Sequence, residues 1–295
     1  MIPVKYERCI MARNTERFAP SPTGSLHLGH AFSALTAFNN AKRTNGKFKL
    51  RLDNIDIERC RSEYEKKICY DLKWLGISWD GPIMRQSERM RKYKLAVNKL
   101  VGKGLVYGCS CTRREIENSL IAPHNFSASK NKIYPGLCRE KKNGILGLNL
   151  RLDLSKSLQV LEAEEIAFFE IGIGPQGQSG KQVLDKDKAS KEIGDIIIAR
   201  KDIGTSYNLS TVVDDMEEGI TNVTRGNDLF PITFIQVIIQ KLLGYKTPIY
   251  FHHKLLTDST GNRLAKRKGS KTIASYRANG FTAEEIKNMI FSKQI

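Results

Sequence analysis

Two histidines stand at positions i and i+3 in Pro20–His30 (PSPTGSLHLGH), where a proline- and glycine-rich loop gives way to a helical pattern. Residues three apart share one side of a helix. His27 and His30 therefore set both imidazoles beside the first-turn N–H groups, where the helix dipole favours an anion. Gly29 between them leaves a bare backbone patch against which a flat purine base can lie. N–H donors so placed suit the charge that builds on a phosphate under nucleophilic attack. Near the other end, Thr257–Lys271 (TDSTGNRLAKRKGSK) is a glycine-flanked basic loop with Lys266, Arg267 and Lys268 in a row. Such a loop can close over a triphosphate and neutralise its bridging oxygens. Taken singly, these are surface histidines and a solvated charge run; in this order, separated by an α/β pattern, they point to nucleotide activation.

A second cluster has different chemistry. Cys109, Cys111 and Cys138 lie close in sequence, whereas Cys9, Cys60 and Cys69 are scattered. In a chain this long that is a metal-site pattern, not a disulfide framework, and it fits a cytoplasmic protein. Thiolates favour tetrahedral zinc, and His124, between the cysteines, offers an imidazole.

The elements that must position these groups alternate. A short strand at Arg17–Ala19 precedes the histidine loop, and a helical repeat of Leu28, Phe32, Leu35 and Phe38 follows it. Lys47–Asp53 alternates as a half-buried strand, and Ile68–Leu75 and Met90–Val101 read as amphipathic helices. This order predicts an α/β doubly wound sheet. Residues 108–138 break the rhythm as an inserted module, and 155–192 carry little periodicity. The αβ pattern returns at Asp195–Arg200, followed by helices from about Leu209 and over Ile232–Leu243. The last helix spans Thr282–Ile290, with Thr282 as its cap and Glu285 three residues on.

Composition narrows the partners. The 295 residues carry 48 Lys and Arg against 31 Asp and Glu, a net charge of +17 spread along the chain. A polyanion is favoured by such a balance through counterion release, although a lysine-rich proteome gives the same excess. No apolar run is long enough to span a bilayer. The N-terminus has scattered charges and no apolar core, so no secretory signal is expected; it reads as a loose extension, with Met11 as an alternative start.

With both loops in view, the chain resembles the class I aminoacyl-tRNA synthetases, specifically their glutamate branch. HLGH (27–30) is similar to that class's HIGH motif, and RLAKR (263–267) to a variant KMSKS loop with Lys266 at the lysine position. RFAPSPTG (17–24), LRLDNID (50–56), LKWLGISWD (72–80), QSER (86–89), GCSCTRRE (108–115) and YPGLCR (134–139) extend the match. SYNLSTVVDD (206–215), GITNVTRGNDL (219–229) and FHHKLL (251–256) carry it nearly to the end. Only about 25 residues follow Lys271, which is similar to the queuosine-modifying members of the family, paralogues without an anticodon-binding domain.

The resemblance implies a Rossmann-like catalytic domain split by an acceptor-binding insertion with a small zinc module. An extension (1–16), a first half (17–107), the zinc module and insertion (108–205) and a second half with the lysine loop and a short helical end (206–295) follow. It implies catalytic His27, His30 and Lys266, and ATP contacts at Pro20, Gly29, Arg263, Leu264, Ala265 and Arg267. It places glutamate on Arg17, Ser21, Asp53, Tyr207 and Arg225, with Asp53 where the family normally has Glu, one methylene shorter. Zinc would be held by Cys109, Cys111, Tyr134 and Cys138, with His124 the alternative fourth ligand and a metal-free thiol module the other reading. The expected chemistry is attack of the glutamate α-carboxylate on ATP with Mg²⁺, then transfer to an RNA hydroxyl. Three readings stay open. The acceptor is the queuosine base of tRNA(Asp), or it is a tRNA 3′ end charged by a truncated or discriminating glutamyl-tRNA synthetase, or the chain is a non-catalytic RNA-binding paralogue. A monomer is the default.

Overall fold

The computed structural model describes residues 14–112, 114–116, 133–141, 144–257 and 271–292. In chain order the first elements are β1 (Thr15–Phe18), α1 (Leu28–Arg43), β2 (Lys47–Leu52), α2 (Ser62–Trp74), β3 (Met84–Arg85) and α3 (Met90–Gly102). After them come β4 (Val106–Cys109), β5 (Asn149–Leu152), α4 (Leu154–Val160), β6 (Ala167–Glu170), β7 (Gly180–Val183), α5 (Lys186–Glu192) and β8 (Ile196–Ala199). The chain closes with α6 (Tyr207–Glu217), β9 (Asn222–Gly226), α7 (Thr233–Leu243), β10 (Ile249–His253), α8 (Ile273–Ala278) and α9 (Ala283–Ser292).

β1, β2 and β3 form one parallel sheet, and β9, β10 and β6 another, with β7 added antiparallel at its edge. β9 sits beside β1: the Thr221 N–H donates to the Thr15 carbonyl at 3.1 Å, and the Thr15 N–H to Thr221 Oγ1 at 2.8 Å. Strand order therefore runs outward in opposite directions from the β1/β9 junction. In doubly wound sheets that switch point opens a crevice at the strands' C-terminal ends, and Arg17 on β1, Asp53 just past β2 and Arg225 on β9 line a cavity there.

Two cores hold the sheets. α1 buries Ala31, Phe32, Ala34, Leu35, Ala37, Phe38 and Ala41 in one of them, alanines alternating with large residues so that the helix lies close to the strands. Ile286 and Ile290 of α9 complete that core. Its N-terminus is the expected capping box: Thr282 N–H and Oγ1–H donate to Glu285 Oε2, and the Glu285 N–H returns to Thr282 Oγ1. The other core gathers α3, α6 and α7, and α7 is apolar nearly all round and stops at Gly244, whose φ of 75° needs no Cβ.

The stretch 155–192, which carries little periodicity, holds α4, β6, β7 and α5, pieces of four to seven residues too short to show a period. β6 also pairs with β10, so the chain rejoins the main sheet inside 108–205. The strand at Asp195–Arg200 exists as β8, but it pairs antiparallel with β5 in a separate sheet, β4-β5-β8. An Ile-Ile-Ile-Ala run is buried equally well in either kind of sheet, so periodicity could not choose between them.

Candidate active site

His27 is the N-cap of α1. Its Nδ1 accepts from the Gly29 N–H at 3.1 Å, and His30 Nδ1 accepts from the His27 N–H at 3.3 Å, a reciprocal capping box built from two imidazoles. Since both Nδ1 atoms act as acceptors, the proton of each neutral ring sits on Nε2. The rings lie 3.7 Å apart at 34°. Gly29 earns its place sterically: a Cβ there would come within 3.0 Å of His27 Cε1.

Three buried arginines reach the crevice with different partners. Arg17, on β1, donates from Nε and Nη2 to the two Asp215 carboxylate oxygens at 3.1 and 3.3 Å. Arg51, on β2 and fully buried, donates to Asp53 Oδ1 at 2.7 Å and Asp215 Oδ1 at 2.5 Å. Burial opposes ionisation of Asp215, but Arg17 and Arg51 outweigh it and hold its carboxyl below the ordinary carboxylate value. For Asp53, burial wins over the pull of Arg51 and raises the pKa. Arg225, on β9, differs: its Nε, Nη1 and Nη2 donate to His252 Nε2 (3.0 Å), Gln236 Oε1 (2.8 Å) and Thr233 Oγ1 (2.8 Å), all neutral. Among the described residues no carboxylate pairs with it.

Arg17, His27, Gly29, His30, Asp53, Tyr207 and Arg225 border one cavity of ≈ 210 Å³. A second cavity of ≈ 490 Å³ adjoins it, with Asp53 and Tyr207 common to both walls. Ser21 borders only this second cavity, so it approaches the shared wall from the other side. Thr205 Oγ1, Gln86 Oε1 and Asn208 Oδ1, from residues lining the second cavity, have no partner. Arg263, Leu264, Ala265, Lys266 and Arg267 lie outside the described residues, as does His124. The flanks of the basic loop do reach the site: Leu255 and Leu256 border the first cavity, and Thr272 forms a β-bridge with His27.

The N-terminus of α1, with His27 and His30, and Arg225, with no carboxylate partner among the described residues, thus border one cavity. The family model for tRNA synthetases class I (E and Q), catalytic domain, matches residues 15–144 and 177–293. The chain belongs to this family. It is 42% identical over 283 residues to the glutamyl-Q tRNA(Asp) synthetase of Rhodobacter capsulatus, covering 93% of this chain and 98% of that one. The glutamyl-Q tRNA(Asp) synthetase of Rhodopirellula baltica is 37% identical, with 92% and 82% covered. The solved glutamate tRNA ligase of Elizabethkingia meningosepticum, in complex with its amino acid, superposes with a TM-score of 0.71 at 25% identity over 94% of this chain. The chain spans 60% of that ligase's length. No helix among the described residues is long and apolar enough to cross a membrane.

In this class I chain the thiol cluster is compact. The Sγ atoms of Cys109, Cys111 and Cys138 all lie within 4.8 Å of one another. Tyr134 Oη lies 3.3 Å from Cys109 Sγ and 3.5 Å from Cys111 Sγ, so the phenol closes the group on its fourth side. Burial disfavours the Cys138 thiolate, but hydrogen bonds from Ser110, Cys111 and Tyr134 outweigh it and bring its pKa down to about 6. Burial and the neighbouring thiols push Cys111 the other way, up to about 11, so it is the convergence of three soft donors that suits the group to a cation.

Sequence reasoning gave no roles to Arg51, Asp215, Glu170 or His252. Arg51, Asp215 and His252 lay inside recognised motifs, and their chemistry depends on partners up to 198 positions away. Glu170 carried no signal at all.

Proposed function

We propose that this chain activates glutamate with ATP and transfers it to the queuosine base in the anticodon loop of tRNA(Asp). The observation that carries the reading is Arg225, a buried guanidinium with only neutral partners, bordering the cavity that also receives His27 and His30. A buried cation calls for a counter-charge, and a carboxylate meets it with two parallel hydrogen bonds. Glutamate supplies one. Arg17, already neutralised by Asp215, adds field and orientation instead of a fresh ion pair. Tyr207 and Asp53 receive the ammonium. Being one methylene shorter than the family's glutamate, Asp53 makes that contact through a water.

Activation forms a bond between a carboxylate oxygen of glutamate and the α-phosphorus, and the bond to the bridging oxygen breaks as pyrophosphate leaves. The Nε2–H groups of His27 and His30 meet the charge on the α-phosphate. Pro20 and Gly29 give the adenine a flat seat. Lys266, with Arg263, Leu264, Ala265 and Arg267 around it, neutralises the leaving phosphates; the loop's flanks at Leu256 and Thr272 support that placement. Mg²⁺ carried with ATP supplies further charge neutralisation. A hydroxyl of the acceptor base then attacks the glutamyl carbonyl and AMP leaves. The adjoining cavity of ≈ 490 Å³, which shares Asp53 and Tyr207 with the first, gives that base room beside the activated glutamate. Cys109, Cys111, Cys138 and Tyr134 would hold one structural zinc, which folds a module poor in apolar residues. The insertion within 108–205 binds the acceptor RNA, and the chain works as a monomer.

The second reading, charging of a tRNA 3′ end, draws on the likeness to the glutamate tRNA ligase structure. A glutamate-transfer assay with tRNA(Asp) bearing or lacking queuosine, and with tRNA(Glu), separates the two. Label on queuosine-bearing tRNA(Asp) alone is expected; label on tRNA(Glu) and none on modified tRNA(Asp) would overturn the first reading.

A further inference from the structure

Behind Arg225 lies a polar chain that neither the nucleotide site nor the ammonium site uses. Glu170 at the end of β6, His252 on β10 and Arg225 on β9 stand on three adjacent strands, and exposure is 0%, 1% and 5% respectively. Glu170 Oε1 accepts from the His252 N–H at 2.9 Å and the Gly172 N–H at 2.7 Å. Glu170 Oε2 contacts His252 Nδ1, and His252 Nε2 faces Arg225 Nε at 3.0 Å. A guanidinium has no acceptor, so Nε2 must bear a lone pair and the ring proton must sit on Nδ1, pointing at the carboxylate. Gly172 lets the chain close over the pair: a Cβ there would sit 2.2 Å from the His252 carbonyl and 2.9 Å from Glu170 Oε1.

We propose that Glu170 and His252 are positioning residues for substrate: Glu170 fixes the Nδ1–H form of His252, and His252 then holds the edge of Arg225 so that its two uncommitted N–H groups present a carboxylate site. The inference rests on the glutamate reading of the Arg225 pocket. Of the five guanidinium N–H groups, three are taken by His252, Gln236 and Thr233. Glu170 stands one ring away from Arg225 and leaves its remaining N–H groups unoccupied. A direct Arg–Glu pair would have consumed the donors that substrate needs. Metal-bound histidines are held by carboxylates in the same way, and loss of such a partner costs about 10–100-fold in affinity.

The test uses Glu170→Gln, which keeps shape but must turn an NH₂ group either toward the two backbone N–H donors or toward His252 Nδ1. The second choice moves the ring proton to Nε2, against Arg225. Pyrophosphate exchange on the full chain should show the glutamate KM raised about 10–100-fold, with the ATP KM unchanged. ¹⁵N shifts of histidine-labelled wild type, assigned with His252→Gln, should show the Nδ1–H tautomer, and those of Glu170→Gln should show loss of it. A glutamate KM within about twofold of wild type overturns the proposal, as does an equal rise in both KM values. If Glu170→Gln does not fold, wild type decides: an Nε2–H ring or an imidazolium at His252 overturns the relay. A wild type that takes ATP but exchanges no pyrophosphate with glutamate overturns the glutamate reading and this inference with it. An Nδ1–H tautomer there would leave a structural pair, which tells that failure apart from failure of the relay.

Discussion

Arg17 and Asp215 meet in a two-pronged ion pair, 3.1 and 3.3 Å long, that joins the first strand of the sheet to helix α6 across 198 positions of sequence. Asp215 also receives Arg51, which has Asp53 as a further partner, whereas Arg17 has no second carboxylate partner among the described residues. Removing it as Asp215→Asn leaves buried positive charge uncompensated, which costs about 3–5 kcal/mol; a lowered urea midpoint at pH 7 checks this. The pH dependence has a definite sign. The native pKa lies below the ordinary 3.8, so this stabilisation is complete above that value and is lost as pH falls through the native pKa. Wild type should therefore lose its advantage over Asp215→Asn only in strong acid, below about pH 4.

Arg225→Ala should abolish glutamate-dependent pyrophosphate exchange while ATP binding survives. The reason is the contrast with Arg17: Arg225 has no carboxylate partner among the described residues, and its removal frees no buried acid to destabilise the fold. Equilibrium binding of an ATP analogue and exchange kinetics together check the prediction. Unchanged exchange would remove Arg225 from the glutamate pocket.

Glu16, beside Arg17 on β1, behaves in the opposite sense to Asp215. Burial raises its pKa from 4.5 to about 7 against hydrogen bonding from Thr224, and Oε2 has no partner. A carboxyl with a raised native pKa stabilises fully below its unfolded value and loses that contribution as pH rises through the native one. The Glu16 contribution to wild-type stability should decline between pH 4.5 and about 7 by roughly 3 kcal/mol. Glu16→Gln should flatten this slope, matching wild type at pH 4 and exceeding it at pH 8 in thermal melts.

How far the sequence reads is set by the range of the interactions. His27 as a helix cap is local: its partners are Gly29 and His30, and the loop-to-helix change is visible in ten residues. The Thr282–Glu285 capping box is local too. The strands β6 and β8 were harder, because four residues hold too little pattern to say which sheet they join. Within the site, the family resemblance groups Arg17, Asp53, Tyr207 and Arg225, and the structure sets these four around one cavity. Nothing local tells which arginine already has its acid; that is settled by Asp215 for Arg17 and by Gln236, Thr233 and His252 for Arg225. Ser21 was grouped with them by motif, yet the Pro20–Pro22 turn delivers it to the neighbouring cavity.

Gly29→Ala should slow glutamyl-adenylate formation with little effect on folding. The added Cβ would meet the His27 ring at 3.0 and 3.1 Å, so the ring must give by a few tenths of an ångström. A misplacement of about 1 Å costs about 100-fold in rate, so this smaller shift should lower kcat by less than that, read in pyrophosphate exchange. Alanine is the better helix former, so the thermal midpoint should hold or rise; a falling midpoint with unchanged kcat would make Gly29 a folding residue only.

The thiol cluster gives the last prediction. With Cys138 pulled toward the thiolate and two more sulfurs and a phenol in reach, the group should carry one zinc per chain by elemental analysis of material never exposed to chelator. Cys138→Ser should lose it. Because Cys109 ends β4 while Tyr134 and Cys138 come from a separate segment, the ion would tie together parts that share few apolar contacts. Its removal should therefore lower the stability of this module first, seen as early proteolysis between β4 and β5, before the adenylate-forming core is affected. If pyrophosphate exchange disappears as soon as the metal does, with the module still resistant to protease, the ion acts on the reaction and not on the fold.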